Sequence, residues 1–133
     1  MAWHPPPEPG DIVYCRFPER GIPEPAPKPR PALVIAVGEV EGEPYVEVAY
    51  GTSQGTNQLH SGEFLIAPAD GDAYALAGLS YATKFDLRNR KELPYDEKWF
   101  RVPPHAPHGQ TPKLGVLHPA LMRRARAAFD AAG

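Results

Sequence analysis

RPALVIAVGEVEGEPYVEVAY, residues 30–50, decides the fold. Within it, residues 32–37 are apolar on both faces, the pattern of a strand buried in the middle of a sheet. Glu41-Gly42-Glu43-Pro44 signals a turn, and beyond it Val46, Val48 and Tyr50 alternate with Tyr45, Glu47 and Ala49. Two β-patterned runs on either side of a short turn predict a hairpin. Before the hairpin, residues 11–17 predict a strand that follows a Pro9-Gly10 turn. Ile12 and Tyr14 share one of its faces, and Val13, Cys15 and Phe17 the other. After the hairpin, residues 63–67 and 81–87 predict two more strands, with a turn at Asp70-Gly71-Asp72. Residues 74–79 fit a strand or a helical turn.

The rest of the chain is shaped by proline, which accounts for 18 of 133 residues. Proline removes a donor and fixes φ, so it works against long helices and central strands. The prolines gather at 5–9, 18–31 and 94–119, between the β-patterned runs. Residues 89–113 lack periodicity and predict a long surface excursion with a short strand at 99–102. Residues 119–131 predict a helix, with Pro119 in its first position and Leu121, Met122, Ala125 and Phe129 on one face. Arg126 and Asp130, four apart, are spaced for an ion pair. The expectation is one mainly β domain (β-rich α+β) over residues 1–133, a curled sheet closed by one C-terminal helix.

Composition narrows the function. Charged residues are 23% and the formal net charge is -2, which excludes a protein that coats nucleic acid through a general positive excess. Cys15 is the one cysteine, so no internal disulfide forms and burial as a small hydrophobe is expected. Met1-Ala2-Trp3-His4 and the prolines after it lack the basic and apolar regions of a signal peptide. The longest apolar run, residues 32–37, is too short to span a bilayer. The expected location is the cytoplasm.

Four features carry chemistry. In the loop 18–31, alternating prolines favour stiff polyproline II geometry, and its end holds Arg30 between Pro29 and Pro31 just before a buried strand. A guanidinium fixed in this way is suited to gripping a phosphate through two parallel hydrogen bonds; a solvated surface arginine is the plain alternative. The segment 51–60 is dense in hydroxyls and amides. It reads as a polar turn, or as a site where Thr52 or Ser53 donates to a phosphate oxygen while Gln54, Asn57 or Gln58 reads a base edge. In the strand 81–87, Lys84 and Asp86 share one face, which is either a solvated face or part of a site. Finally, His105 and His108 are three apart in a proline loop, with His60 and His118 distant. No cysteine partner or helical spacing directs them to zinc, and neither metal nor cofactor is expected.

In this order the features resemble the PemK/MazF family of bacterial toxin ribonucleases. The resemblance runs from Pro9-Gly10-Asp11-Ile12-Val13 and Phe17-Pro18, through Gly21 and Glu24, to Arg30-Pro31-Ala32-Leu33-Val34-Ile35. It continues with Thr52-Ser53, Lys84-Phe85-Asp86 and Leu114-Gly115-Val116-Leu117-His118-Pro119. It implies a small SH3-like barrel with a C-terminal helix, a homodimer, and growth inhibition by sequence-specific cleavage of single-stranded mRNA. Cleavage would use the adjacent 2′-hydroxyl without a metal, and a cognate antitoxin would occupy the RNA groove. Arg30 and Thr52 match the family's catalytic pair, and Asp86 matches an acidic residue near the scissile site in some members. Arg30 would stabilise charge and Thr52 would bond a non-bridging oxygen, with Asp86 ranked above His60 as general base. Ser53, Gln54, Lys28, His60, Lys84 and Arg88 are the expected substrate contacts. The segments 65–81 and 92–113 are longer than in compact members, and Tyr50-Gly51 replaces a more apolar approach to the threonine. The alternative is a catalytically silent SH3-like module that binds nucleic acid or protein, including a DNA-binding regulator.

Overall fold

A computed structural model describes residues 5–133; residues 1–4, where the absence of a leader was read, lie outside the described residues. The chain forms strands β1 (Asp11–Cys15), β2 (Arg30–Val40), β3 (Glu43–Thr52) and β4 (Glu63–Ile66), helix α1 (Asp72–Ala77), strands β5 (Thr83–Pro94) and β6 (Lys113–Val116), and helix α2 (Met122–Ala131). The six strands make one antiparallel sheet in the order β4-β5-β3-β2-β1-β6. The hairpin of residues 30–50 is its centre. Its two-residue turn puts Glu41 at φ 53° and Gly42 at φ 82°, the doubly positive geometry whose twist matches paired strands.

Apolar side chains pack on both faces. One cluster contains Ile12, Leu33, Ala49, Phe64, Ile66, Phe85 and Leu87 under the two helices, and the other contains Val13, Cys15, Ala32, Val34, Val46 and Val48. The second cluster corrects the expectation for residues 89–113. β5 does not stop near Leu87 but runs on to Pro94 beside β3, and Leu93, Tyr95, Trp99 and Phe100 are buried in the second cluster. Between Ala49 and Tyr50 the partner on β5 jumps from Arg90 to Asp86. That bulge breaks the two-residue alternation, so the strand could not be followed in sequence. The stretch is therefore the cover of a core. Residues 113–116, for which no strand was predicted, form β6 beside β1.

Of residues 74–79, which fitted a strand or a helical turn, 74–77 are helical within α1, which ends at the left-handed Gly78. At the C-terminus, Pro119 opens a 3-10 turn whose N-terminal cap is His118, with its Nδ1 accepting from the Ala120 N–H at 2.9 Å. α2 follows, but its inner face is not the predicted one. Leu121, Ala125 and Ala128 are buried, whereas Met122 and Phe129 are 46% and 42% exposed. Alanines let the helix sit close to β4 and β5, and Phe129 stays outside under the Arg90 guanidinium, 5.1 Å from the ring centroid. Among the described residues Arg126 and Asp130 form no ion pair. Arg124 does the pairing: it donates to the Leu65 carbonyl at 2.8 Å and to Asp70 at 3.1 Å. Those bonds cover an edge carbonyl of β4, and Arg124 with the Ala67 N–H holds the Asp70 carboxyl below its usual range.

Candidate active site

Arg30 begins β2 and pairs in register with Cys15 of β1. The proline loop before it is tied back at Ala26, whose N–H donates to the Arg16 carbonyl at 3.1 Å, while Arg16 Nε donates to the Ala26 carbonyl at 2.8 Å. The guanidinium of Arg30 itself has no hydrogen bond or ion pair among the described residues. Thr52 ends β3. Ala32 pairs with Tyr50, and two more residues of this antiparallel register set Arg30 across from Thr52. Two residues far apart in the chain thus meet at one end of the central hairpin.

Gly51 makes this meeting possible. A Cβ there would run into the Pro31 carbonyl oxygen and stand 2.8 Å from the Phe85 ring. Only hydrogen fits between the strands. Gly51→Ala is expected to push β3 from β2, costing about 1–3 kcal/mol as overpacking does and separating Arg30 from Thr52. Urea unfolding measures the first effect and phosphate-analogue binding the second; unchanged stability would show that the strands are not in contact there.

Arg30, Thr52, Ser53 and Lys28 line a common cleft of about 510 Å³. The Thr52 hydroxyl accepts the Gln54 N–H at 3.1 Å, which leaves its own proton free to donate outward. Gln54 itself is exposed beside this turn. Asp86, His60 and Arg88 do not line the cleft. They line a neighbouring groove of about 610 Å³ with Arg20 and Lys91, where Asp86 accepts the Arg88 N–H at 2.9 Å. Asp86 pairs with Tyr50 and Lys84 with Thr52, so Asp86 lies two strand residues, about 7 Å along β5, from the position opposite Thr52.

Lys84 differs from the exposed cation expected for a substrate contact. It is 8% exposed, and its Nζ donates to the Gln58 carbonyl and to Glu63 Oε1, both at 3.1 Å. Burial acts to raise the Glu63 carboxyl, but the His60 N–H and the Lys84 ammonium outweigh it and hold the group below its usual range. The knot anchors the loop after Thr52. Cys15 is fully buried, and burial pushes its thiol far up, so it is no nucleophile.

Two cleft residues were not read as part of this site. Tyr81, 72% exposed, stands on the rim; it was read only as the start of a strand, which in fact begins at Thr83. His105 lines the cleft from the loop between β5 and β6; the sequence singled it out with His108 only as a weighed and rejected zinc ligand, and nothing in its spacing joined it to Arg30 and Thr52.

No family model and no curated protein matches the chain. Solved structures do. An endoribonuclease from mycobacterial species aligns with a TM-score of 0.58 at 16% identity, over 98% of this chain and 93% of that one. An endoribonuclease in complex with its cognate antitoxin, also from mycobacterial species, aligns at 0.57 and 15% identity, over 96% and 94%. At these identities the likeness concerns architecture, and it extends nearly end to end. The chain has the fold of these endoribonucleases, in line with the fold that the resemblance of its motifs implies.

Proposed function

We propose that the chain is the toxin of a type II toxin–antitoxin system, a sequence-specific endoribonuclease that cuts single-stranded RNA without a metal. The observation that carries this reading is the convergence of Arg30 and Thr52 on one cleft. Attack by the neighbouring 2′-hydroxyl is already intramolecular, so the protein has to orient the strand and stabilise charge on phosphorus. Arg30 supplies that charge from a guanidinium with no other partner among the described residues. Thr52 donates to a non-bridging oxygen. Ser53 and Lys28 hold the flanking backbone, and the exposed ring of Tyr81 offers a base a stacking surface. The adjoining groove, with Arg20, Arg88 and Lys91, extends the path of the strand, and Asp86 and His60 belong to that path.

The endoribonuclease titles of both structural neighbours support the activity, and the complex of one of them supports a cognate antitoxin as partner. The family resemblance supports a homodimer acting in the cytoplasm; no helix among the described residues is long and apolar enough to cross a membrane.

The test is incubation of purified protein with single-stranded RNA in excess EDTA, followed by mapping of the ends. Cleavage is expected to persist and to leave a 2′,3′-cyclic phosphate and a 5′-hydroxyl. A strict need for a divalent cation, or ends with a 5′-phosphate, would remove the mechanism. Intact RNA that is nonetheless bound would favour the silent-module alternative.

A further inference from the structure

A cleavage step that begins with a 2′-hydroxyl needs somewhere for its proton to go. Asp86 and His60, the acceptors suggested by the sequence, line the neighbouring groove rather than the cleft of Arg30 and Thr52. Among the described residues, no aspartate or glutamate lines that cleft. Its charged groups are Lys28 and Arg30, which as cations have no lone pair to offer. Its hydroxyls, on Tyr14, Thr52, Ser53, Ser80, Tyr81 and Thr83, are weak bases. Among the described residues one side chain remains. We propose that His105 is the general base for RNA cleavage, an inference that rests on the endoribonuclease reading.

His105 is held where such a group would have to be. Its loop is a tight turn in which the Ala106 N–H donates to the Pro103 carbonyl at 2.9 Å, with Pro104 ahead of the histidine fixing the approach. The next residue, Ala106, sits at φ 41°, a left-handed conformation that costs a side-chain-bearing residue roughly 1–3 kcal/mol. The Gly109 N–H then donates to the Ala106 carbonyl at 3.0 Å. The turn and its three prolines put His105, an exposed residue, on the wall of the cleft, and imidazole is the side-chain type that exchanges protons between about pH 5 and 8. The charged groups that line the same cleft are Lys28 and Arg30 from the end of the proline loop, and Tyr14 from β1 and Tyr81 from the segment before β5 line it too.

In the proposed step the 2′-hydroxyl proton moves to a neutral ring nitrogen of His105 as the 2′-oxygen bonds to phosphorus. The bond from phosphorus to the 5′-oxygen breaks, and the imidazolium returns its proton through solvent to that departing oxygen. Atoms and charge balance with no further reactant. His105 then touches a reacting atom, and Arg30 and Thr52 hold the phosphorane.

The experiment compares wild type, His105→Ala, His108→Ala and Arg30→Ala on one single-stranded RNA in EDTA, from about pH 5 to 8.5. It repeats the comparison with sulfur replacing the 5′-bridging oxygen, a leaving group that needs no proton. His105→Ala is expected to fold normally, since the residue is exposed, and to cut about 10²–10⁴-fold more slowly. It should lose the rise of rate with pH expected of wild type and keep its deficit on the sulfur substrate, while His108→Ala, outside the cleft, matches wild type. Wild-type rates in His105→Ala beside an inactive Arg30→Ala would overturn the base and leave the nuclease reading intact. Recovery on the sulfur substrate would move His105 to the departing oxygen and overturn the base role. A wild-type protein inert on RNA would overturn both.

Discussion

Arg30→Ala is expected to slow RNA cleavage by about 10³-fold or more, the loss seen when a lone cationic clamp on a transferring phosphoryl group is removed. The fold should survive. Arg30 is half-buried at the start of β2, its backbone keeps the pairing with Cys15, and its side chain makes no hydrogen bond or ion pair among the described residues. Substitution of such a side chain ordinarily changes stability by no more than about 0.5 kcal/mol. Arg30→Lys separates charge from shape, because an ammonium keeps the charge and loses the two-pronged grip on phosphate. It should retain RNA binding better than it retains cleavage. Single-turnover cleavage with an unfolding curve for each variant checks all three points, as does growth arrest on induction. Full activity in Arg30→Ala would leave the cleft without its charge and the proposed mechanism without support.

The centre of this fold was legible because its signals are local. Residues 30–50 carry an apolar run, a turn and an alternation within one hairpin, and these form β2, its turn and β3. Arg30 and Thr52 were paired in the sequence only through the family resemblance; the hairpin register is what sets them across from each other. Elsewhere the signal was not local. The three-residue bulge at 87–89 on β5 hid Leu93, Tyr95, Trp99 and Phe100 among residues that looked like loop. The inner face of α2 was misjudged because Phe129 outweighs alanine in a hydrophobic pattern, whereas close packing favoured Ala125 and Ala128. The same distinction governs the site. Lys84 and Asp86 do share a strand face, but period-two alternation does not reveal that one is buried against Glu63 while the other faces a separate groove. His105 joins the cleft only through a turn fixed by prolines, which no spacing encodes.

Lys84→Met is the largest stability change expected from a single substitution at the site. It removes the ammonium that bonds Gln58 and Glu63, and it leaves a carboxylate with a 10% exposed side chain to the His60 N–H alone. Stranding one partner of a buried pair costs about 3–5 kcal/mol; here the open rim of the loop places the expected loss near 3 kcal/mol. The consequence reaches the chemistry, because residues 53–60 would lose their tether and Ser53 its place beside Thr52. The pH dependence gives an independent check. Glu63 is held below its usual value in the folded protein by the His60 N–H and Lys84, against the opposing effect of burial. A depressed carboxylate contributes stability that is present above its unfolded value, roughly pH 4.3, and is lost as pH falls through the folded value. Removing Lys84 takes away part of that depression. The stability gap between wild type and Lys84→Met should therefore be widest near neutral pH and narrow below about pH 4, as urea unfolding at a series of pH values would show. A gap that stayed constant down to acid pH would mean that Lys84 acts by packing its alkyl chain, and the loop would have to be held by something other than this ion pair.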